Sequence, residues 1–274
     1  MTSTLQGNLA RHFANIAWSA MPPSSGSKDE FYLNAEDSDI VEQVWDGAQF
    51  GIETTVAEDA MDETAVAYIK LPGKRAVVYV TEAGKLGQAV CNDKSLEWEP
   101  KPIFGSDVDI GPQGQFATIS SPDGPTLFYQ DKSGDVCSIE STTSFGGAEP
   151  QFLTSDAILG SPLHISLLGE DLFIFYVHND GRIHFQSLQD EKSEDQIWEG
   201  SFFENASSIR KITLLRNGSG HLDTPPDLYC LTKGDEVYRV TLGGEKSKIG
   251  TGAVVSATTA TAVVLGGTYG PLDH

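Results

Sequence analysis

Cysteine, methionine and tryptophan are scarce in this 274-residue chain, with 3, 3 and 4 copies. Cys91, Cys137 and Cys230 are an odd and widely spaced set, which does not read as a disulfide framework. Positive charge is short as well: 18 Lys and Arg stand against 39 Asp and Glu, a net charge of −21. Such a surface repels phosphate backbones and anionic headgroups, so nucleic acid and membrane surfaces are poor partners. A long apolar run is missing too. The N-terminal stretch MTSTLQGNLARHFANIAWSA has no continuous apolar core behind positive charge, so neither a signal peptide nor a membrane span is read there, and a cytoplasmic or unconventionally secreted protein is expected. Asn205 and Asn217 match the glycosylation acceptor pattern, but without a secretory signal they are taken as chance.

Catalytic motifs are equally thin. Metallohydrolase, phosphate-loop, zinc-finger and dinucleotide patterns are absent from the sequence. The acidic runs at Glu36, Asp37, Asp39 and at Asp107, Asp109 lack the glycine and distal glutamate of a calcium loop, so no metal or cofactor is expected. Ser219, His221 and Asp223 crowd one Gly-rich loop, whereas a working triad converges from separate elements. Helical periodicity of useful length is missing throughout.

What the chain does have is a period of about fifty residues. Tyr32, Tyr79, Tyr129, Tyr176 and Tyr229 each close a β-rich run (EFY, VVY, LFY, IFY, DLY) at intervals of 47, 50, 47 and 53 residues. Glycine follows five positions later at Gly84, Gly134, Gly181 and Gly234, and an apolar run resumes at Leu86, Val136, Ile183 and Val237. This is the hairpin signature, glycine supplying the positive φ of the turn. In the first unit Asp37 holds the glycine position and Ile40 resumes the strand, which predicts a longer turn. Upstream of each hairpin lies a smaller apolar strand, marked by Ala17, Ala67, Ala117, Ile165, Thr213 and Ala262. Aromatics at Phe50, Trp98 and Trp198 fall where a fourth strand belongs. Four short strands per unit, each unit burying its faces only against its neighbours, predict an all-β propeller spanning residues 1–274 as one domain. Five repeats are complete, and a reduced sixth blade is expected to close with residues near the N-terminus.

Function in such a fold belongs to the axial cavity or to the seams between blades. On or beside the inner strands lie Trp18, Tyr68, Thr118, His164, Arg210 and Lys211. In the seams lie Glu42, Trp45, Trp98, Arg182, His184 and Trp198, aromatics suited to a sugar's apolar face and charges suited to its hydroxyls. Trp98 and Trp198 are expected to serve packing.

The stretch from Ile40 to Phe50, IVEQVWDGAQF, with FYVHNDGRI from Phe175 and FYQDKSGDV from Phe128, resembles the blade signature of fungal fucose-specific lectins. That resemblance implies a six-bladed propeller with sugar sites between blades, each built from an arginine, a glutamate and stacking aromatics. The arginine position falls near Glu30, Ala76, Thr126, Phe173 and Pro226, with Arg75 one residue away. The glutamate position holds Glu42, then Gln88, Ser138 and Phe185, so no blade carries the full trio. By analogy with fungal propellers, the expected function is a cofactor-free hetero-Diels–Alder cyclase of natural-product biosynthesis. It would hold a small organic substrate in the axial pocket with His164, Arg210 and Tyr68 as donors and Trp18 as a stacking wall. The alternative is a divergent lectin binding a glycan. Self-association into a homo-oligomer is compatible with either.

Overall fold

The structure is a computed structural model that describes residues 19–21, 30–36, 38–45, 51, 53–61, 64–71, 73–92, 97–104, 108–111, 113–121, 124–141, 149–168, 171–189, 194–216, 226–234 and 236–251. These form five four-stranded antiparallel sheets, each built from consecutive strands. Blade 1 holds β1 (Ser19–Met21), β2 (Glu30–Glu36), β3 (Asp39–Trp45) and β4 (Thr54–Ala57). Blade 2 holds β5 (Val66–Leu71), β6 (Lys74–Val80), β7 (Leu86–Asn92) and β8 (Trp98–Pro100), and blade 3 holds β9 (Phe116–Ser121), β10 (Gly124–Gln130), β11 (Val136–Glu140) and β12 (Gln151–Thr154). Blade 4 holds β13 (His164–Leu168), β14 (Asp171–Val177), β15 (Ile183–Ser187) and β16 (Gln196–Ile197). Blade 5 holds β17 (Ile209–Arg216), β18 (Pro226–Thr232), β19 (Glu236–Val240) and β20 (Lys246–Thr251), and a single 3-10 turn at Ala206–Ser208 leads into it. The first strands of successive blades touch one another in order, β1 to β5 to β9 to β13 to β17, which makes them the inner ring of a propeller.

Burial explains the sequence pattern. The second strand of a blade is covered on both faces by adjacent strands and neighbouring blades, so β6, β14 and β18 are buried almost end to end. They therefore read as continuous apolar runs rather than alternating ones. Outer strands β8, β12 and β16 keep mostly exposed residues. The core is accordingly divided among the seams: Val78, Leu127 and Tyr129 fill the seam between blades 2 and 3, and Phe175, Trp198, Phe203 and Leu228 fill that between blades 4 and 5. Fully burying such a side chain contributes about 2 kcal/mol. Trp198 packs edge-on against Phe175 and Phe185, the packing role expected of it.

The tyrosine repeat has a structural meaning. In blades 2, 3 and 4 the tyrosine sits opposite the residue eight positions later: Tyr79 faces Gly87, Tyr129 faces Cys137 and Tyr176 faces His184. Gly87 is needed because a Cβ there would lie 2.3 Å from the Tyr79 ring. The hairpin turns of these blades share one hydrogen-bond pattern, in which the glycine N–H donates three residues back: Gly84 to Thr81, Gly134 to Asp131 and Gly181 to His178. All three glycines have positive φ.

Two turns depart from expectation. In blade 1, Glu36 pairs directly with Asp39, so the connection is two residues long rather than extended, and Ser38 carries the positive φ of 68°. A two-residue hairpin needs left-handed backbone at its centre. In blade 5 the glycine of matching turn geometry is Gly244, between β19 and β20, with φ 84°. Gly234 is not among the positive-φ glycines, and that hairpin is closed by the Glu236 N–H donating to Thr232 Oγ1 at 3.2 Å. All three cysteines are buried free thiols. Ala17, Trp18, Phe50, the acidic residues Asp37 and Asp107, the loop of Ser219, His221 and Asp223, and the Ala262 strand of a sixth blade lie outside the described residues. Trp45 is described as the last residue of β3, paired with Glu30, but not as a side chain.

Candidate functional site

The residues expected around the axis are spread over different seams. Tyr68, on β5, donates its hydroxyl to Glu42 Oε1 at 2.9 Å, toward blade 1. Thr118, on β9, donates to the Tyr68 carbonyl at 3.1 Å and ties blades 2 and 3. His164, on β13, accepts the Leu214 N–H at Nε2 (3.4 Å), toward blade 5, with its ring 6.2 Å from Phe175. Arg210 is exposed at the irregularity where the β17–β18 register shifts. Lys211 beside it is half-buried, and desolvation, aided by the Arg210 charge, pulls its ammonium down to about 8. Tyr68 and His164 thus serve as inter-blade ties.

The seam between blades 1 and 2 gathers three residues that the sequence placed separately. Glu42 from β3 is 2% exposed and Arg75 from β6 is 4% exposed. The guanidinium grips both carboxylate oxygens, Nε to Oε1 at 2.8 Å and Nη2 to Oε2 at 2.7 Å. Trp98 Nε1 from β8 adds a donor to Oε2 at 3.3 Å, and the Arg75 guanidinium lies 5.3 Å from the centre of the Trp98 ring. With Tyr68, the carboxylate accepts four hydrogen bonds, which fills its lone-pair sites. Burial pushes the Tyr68 phenol well up, and the neighbouring Glu42 charge adds to it. Burial alone pulls the Arg75 guanidinium down, but its bonds to Glu42 outweigh that and leave it raised. An arginine, a glutamate and an aromatic therefore meet here, but they are spent on one another.

The equivalent positions in other blades are also committed inward. Gln88 Oε1 accepts the N–H groups of Ile103 and Phe104 at 2.7 and 2.8 Å. Ser138 is buried, and Phe185 stacks on Phe175 at 5.3 Å. In blade 5 the charges are exchanged between strands: Asp227 stands on β18, and Arg239 on β19 donates to it through Nε at 2.7 Å.

Open chemistry is found elsewhere, at the rim of the seam between blades 4 and 5. A groove of about 550 Å³ runs between the connector that leaves blade 4 and the strands of blade 5. Phe202, half exposed, and Tyr238 form its aromatic walls. Glu204, Asn205, Glu236 and Lys246 supply its polar groups. Lys246 Nζ lies 4.4 Å from the Phe203 ring centre and donates to the Phe202 carbonyl. Tyr238 Oη donates to Glu236 Oε2 at 2.9 Å, while Lys248 binds the other oxygen and, as the larger cause, holds that carboxyl below its ordinary range. This size and mixture suit a small polar ligand with an apolar face.

No family model and no curated protein sequence matches the chain. Solved structures do. The lectin of Aleuria aurantia, described as a six-bladed β-propeller with a distinctive fucose recognition mode, superposes with a TM-score of 0.58 at 16% identity, covering 83% of this chain and 75% of that one. AofleA of Arthrobotrys oligospora gives 0.60 at 14% identity, over 84% and 70%. The BP39L lectin of Burkholderia pseudomallei gives 0.54 at 16%, over 81% and 65%. The chain has the fold of these lectin β-propellers.

Sequence reasoning missed the groove because its walls come from positions 202–208 and 232–246. The run SFFENAS, two aromatics beside an acid and an amide in a connector, was the available signal. Arg182 is exposed at the turn before β15, its Nη1 4.0 Å from Asp180.

Proposed function

We propose that the protein is a saccharide-binding module and that it binds in the groove between blades 4 and 5. The observation that carries this is the pairing, in one open groove, of exposed aromatic surface with acidic, amide and ammonium groups. Phe202 and Tyr238 would take the apolar face of a sugar ring, Glu204, Asn205 and Glu236 would accept its hydroxyls, and Lys246 would donate to a ring or hydroxyl oxygen. The fold neighbours support the reading, since the Aleuria aurantia protein is described as fucose-specific. The arginine–glutamate pair of this chain, Arg75 with Glu42, is closed on itself, so a sugar is expected to be held by other groups.

The cyclase reading has less behind it. Tyr68 and His164 engage different neighbouring blades, and Arg210 is exposed at a register shift, so the three donors do not converge on one reacting carbonyl. A glycan array followed by titration calorimetry tests the proposal. Saturable binding that falls at least tenfold in Phe202→Ala and in Lys246→Met is the expected result. An array without signal, or binding indifferent to both substitutions, refutes it.

A further inference from the structure

A second cluster lies on the turn between β14 and β15, and it belongs neither to the groove nor to the inner ring. His178, Asp180 and His184 each present a ligand atom, all within 4.8 Å of one another. His184 is buried, His178 partly buried and Asp180 exposed. Behind His184 stands Asp195, whose Oδ2 pairs with the imidazole Nδ1. Asp195 is itself fixed by the Tyr176 hydroxyl, which donates to Oδ1 at 2.6 Å.

This arrangement has a chemical consequence. With Nδ1–H assigned to Asp195, the lone pair of His184 Nε2 is directed at Asp180 Oδ2, 3.2 Å away. Two acceptors so placed repel unless a proton or a cation lies between them. A separation of this size is also the bite of two ligands sharing one tetrahedral ion, at bonds of about 2.0 to 2.1 Å. Carboxylate, histidine and metal in line is how proteins orient imidazole ligands and fix their tautomer.

We infer that this turn is a binding site for a zinc-class divalent ion. His178, Asp180 and His184 are its protein ligands and Asp195 positions His184. Two imidazoles and a carboxylate favour borderline ions such as Zn²⁺ or Co²⁺ over Mg²⁺ or Ca²⁺. The His178 ring is stacked on His184 at 3.9 Å and 7°, with its Nδ1 3.1 Å from Asp180 Oδ1. Parallel rings aim their lone pairs side by side, and His178 Nδ1 also accepts the Asp180 N–H at 3.0 Å, so capture of the ion requires His178 to give up that bond and swing out of the stack, which its partial exposure permits. Gly181, with φ 85°, gives the turn the left-handed backbone that sets the Asp180 carboxylate beside one nitrogen of each histidine.

The competing account is an imidazolium held between Asp180 and Asp195, purely a structural tie. Calorimetric titration of the tag-free, chelator-treated full chain with Zn²⁺ separates the two, with Co²⁺ absorption as the coordination signature. One equivalent should bind with micromolar or tighter affinity, and Co²⁺ should give tetrahedral ligand-field bands. His178→Ala and Asp180→Asn, both on the partly exposed side, should each weaken Zn²⁺ binding more than tenfold at an unchanged unfolding midpoint. Asp195→Asn should weaken it about 10- to 100-fold while keeping the Co²⁺ bands. Absence of saturable one-to-one binding, or binding that survives both His178→Ala and Asp180→Asn, overturns the assignment and leaves the imidazolium tie.

Discussion

Arg75→Met is the sharpest test of how the seams are held. The substitution keeps most of the volume and removes the fork that engages both oxygens of Glu42. Glu42, 2% exposed, would then hold its charge with only Tyr68 and Trp98 as donors. Stranding one charge of a buried pair costs about 3 to 5 kcal/mol, because the desolvation penalty stays while the attraction is lost. For a chain of this size that is a drop of about 6 to 20 °C in Tm, at roughly 2 to 4 °C per kcal/mol. The surface pair of Lys85 and Asp109, at 2.7 Å with side chains 42% and 49% exposed, serves as the control. Lys85→Met should move stability by less than about 1 kcal/mol. Urea unfolding of both variants, and of Arg75→Met combined with Glu42→Gln, gives the numbers. The double variant should recover part of the loss, a coupling of about 0.5 to 3 kcal/mol. If Arg75→Met costs no more than Lys85→Met, or if the second substitution recovers nothing, the buried charge is not what the seam depends on.

Gly200→Ala should cost about 1 to 3 kcal/mol by its urea midpoint. Its φ is 72° and a Cβ would lie 2.0 Å from the backbone oxygen of Gly244, so two backbones must part; an unchanged midpoint refutes that contact. Lys211 makes stability depend on pH with a definite sign. Its folded ammonium titrates near 8, below the ordinary value of about 10.4, so between those values the unfolded chain binds more protons and stability rises with pH. Lys211→Met should flatten that rise relative to the parent chain, and an identical pH profile in the two would refute it.

The blade repeat was legible because it rests on local chemistry. Tyr79, Tyr176 and Tyr229 lie on strands buried on both faces, and Gly84, Gly134 and Gly181 answer turns that need positive φ. Where the turn was built otherwise, the reading slipped. At the blade 1 hairpin the left-handed residue is Ser38, and in blade 5 the matching turn moved one strand later, to Gly244. The sites were much less legible, for reasons of distance. Glu42 and Arg75 are 33 residues apart, and only the stacking of two blades brings them together. Sequence alignment placed Arg75 one residue from the arginine position of its own blade, whereas its partner is the carboxylate of the preceding blade. The metal-binding pattern was hidden in plain view. In HNDGRIH the spacing read as a hairpin turn, which it is, but the pairing of Tyr176 with His184 also folds His184 back beside His178.

Glu42, Gln88 and Phe185, the positions at which the resemblance leads one to expect sugar contacts, are structural ties here, and that shapes where a ligand can go. Glu42 is saturated by four donors, Gln88 is bound to two backbone N–H groups, and Phe185 is packed among aromatics. A buried carboxylate whose lone pairs are all filled gains little from a sugar hydroxyl and loses a charge-assisted bond for each one it admits. Ligand binding on this scaffold therefore favours places where polar groups still face water. The rim groove is such a place, since Glu204 and Lys246 are exposed and Phe202 is half exposed beside them. Of the inner ring, Tyr68 and His164 already engage neighbouring blades. The bonds that close the seam between blades 1 and 2 thus tie those blades together, and the polar groups that still face water lie in the connectors at the edge, where the proposed sugar site is.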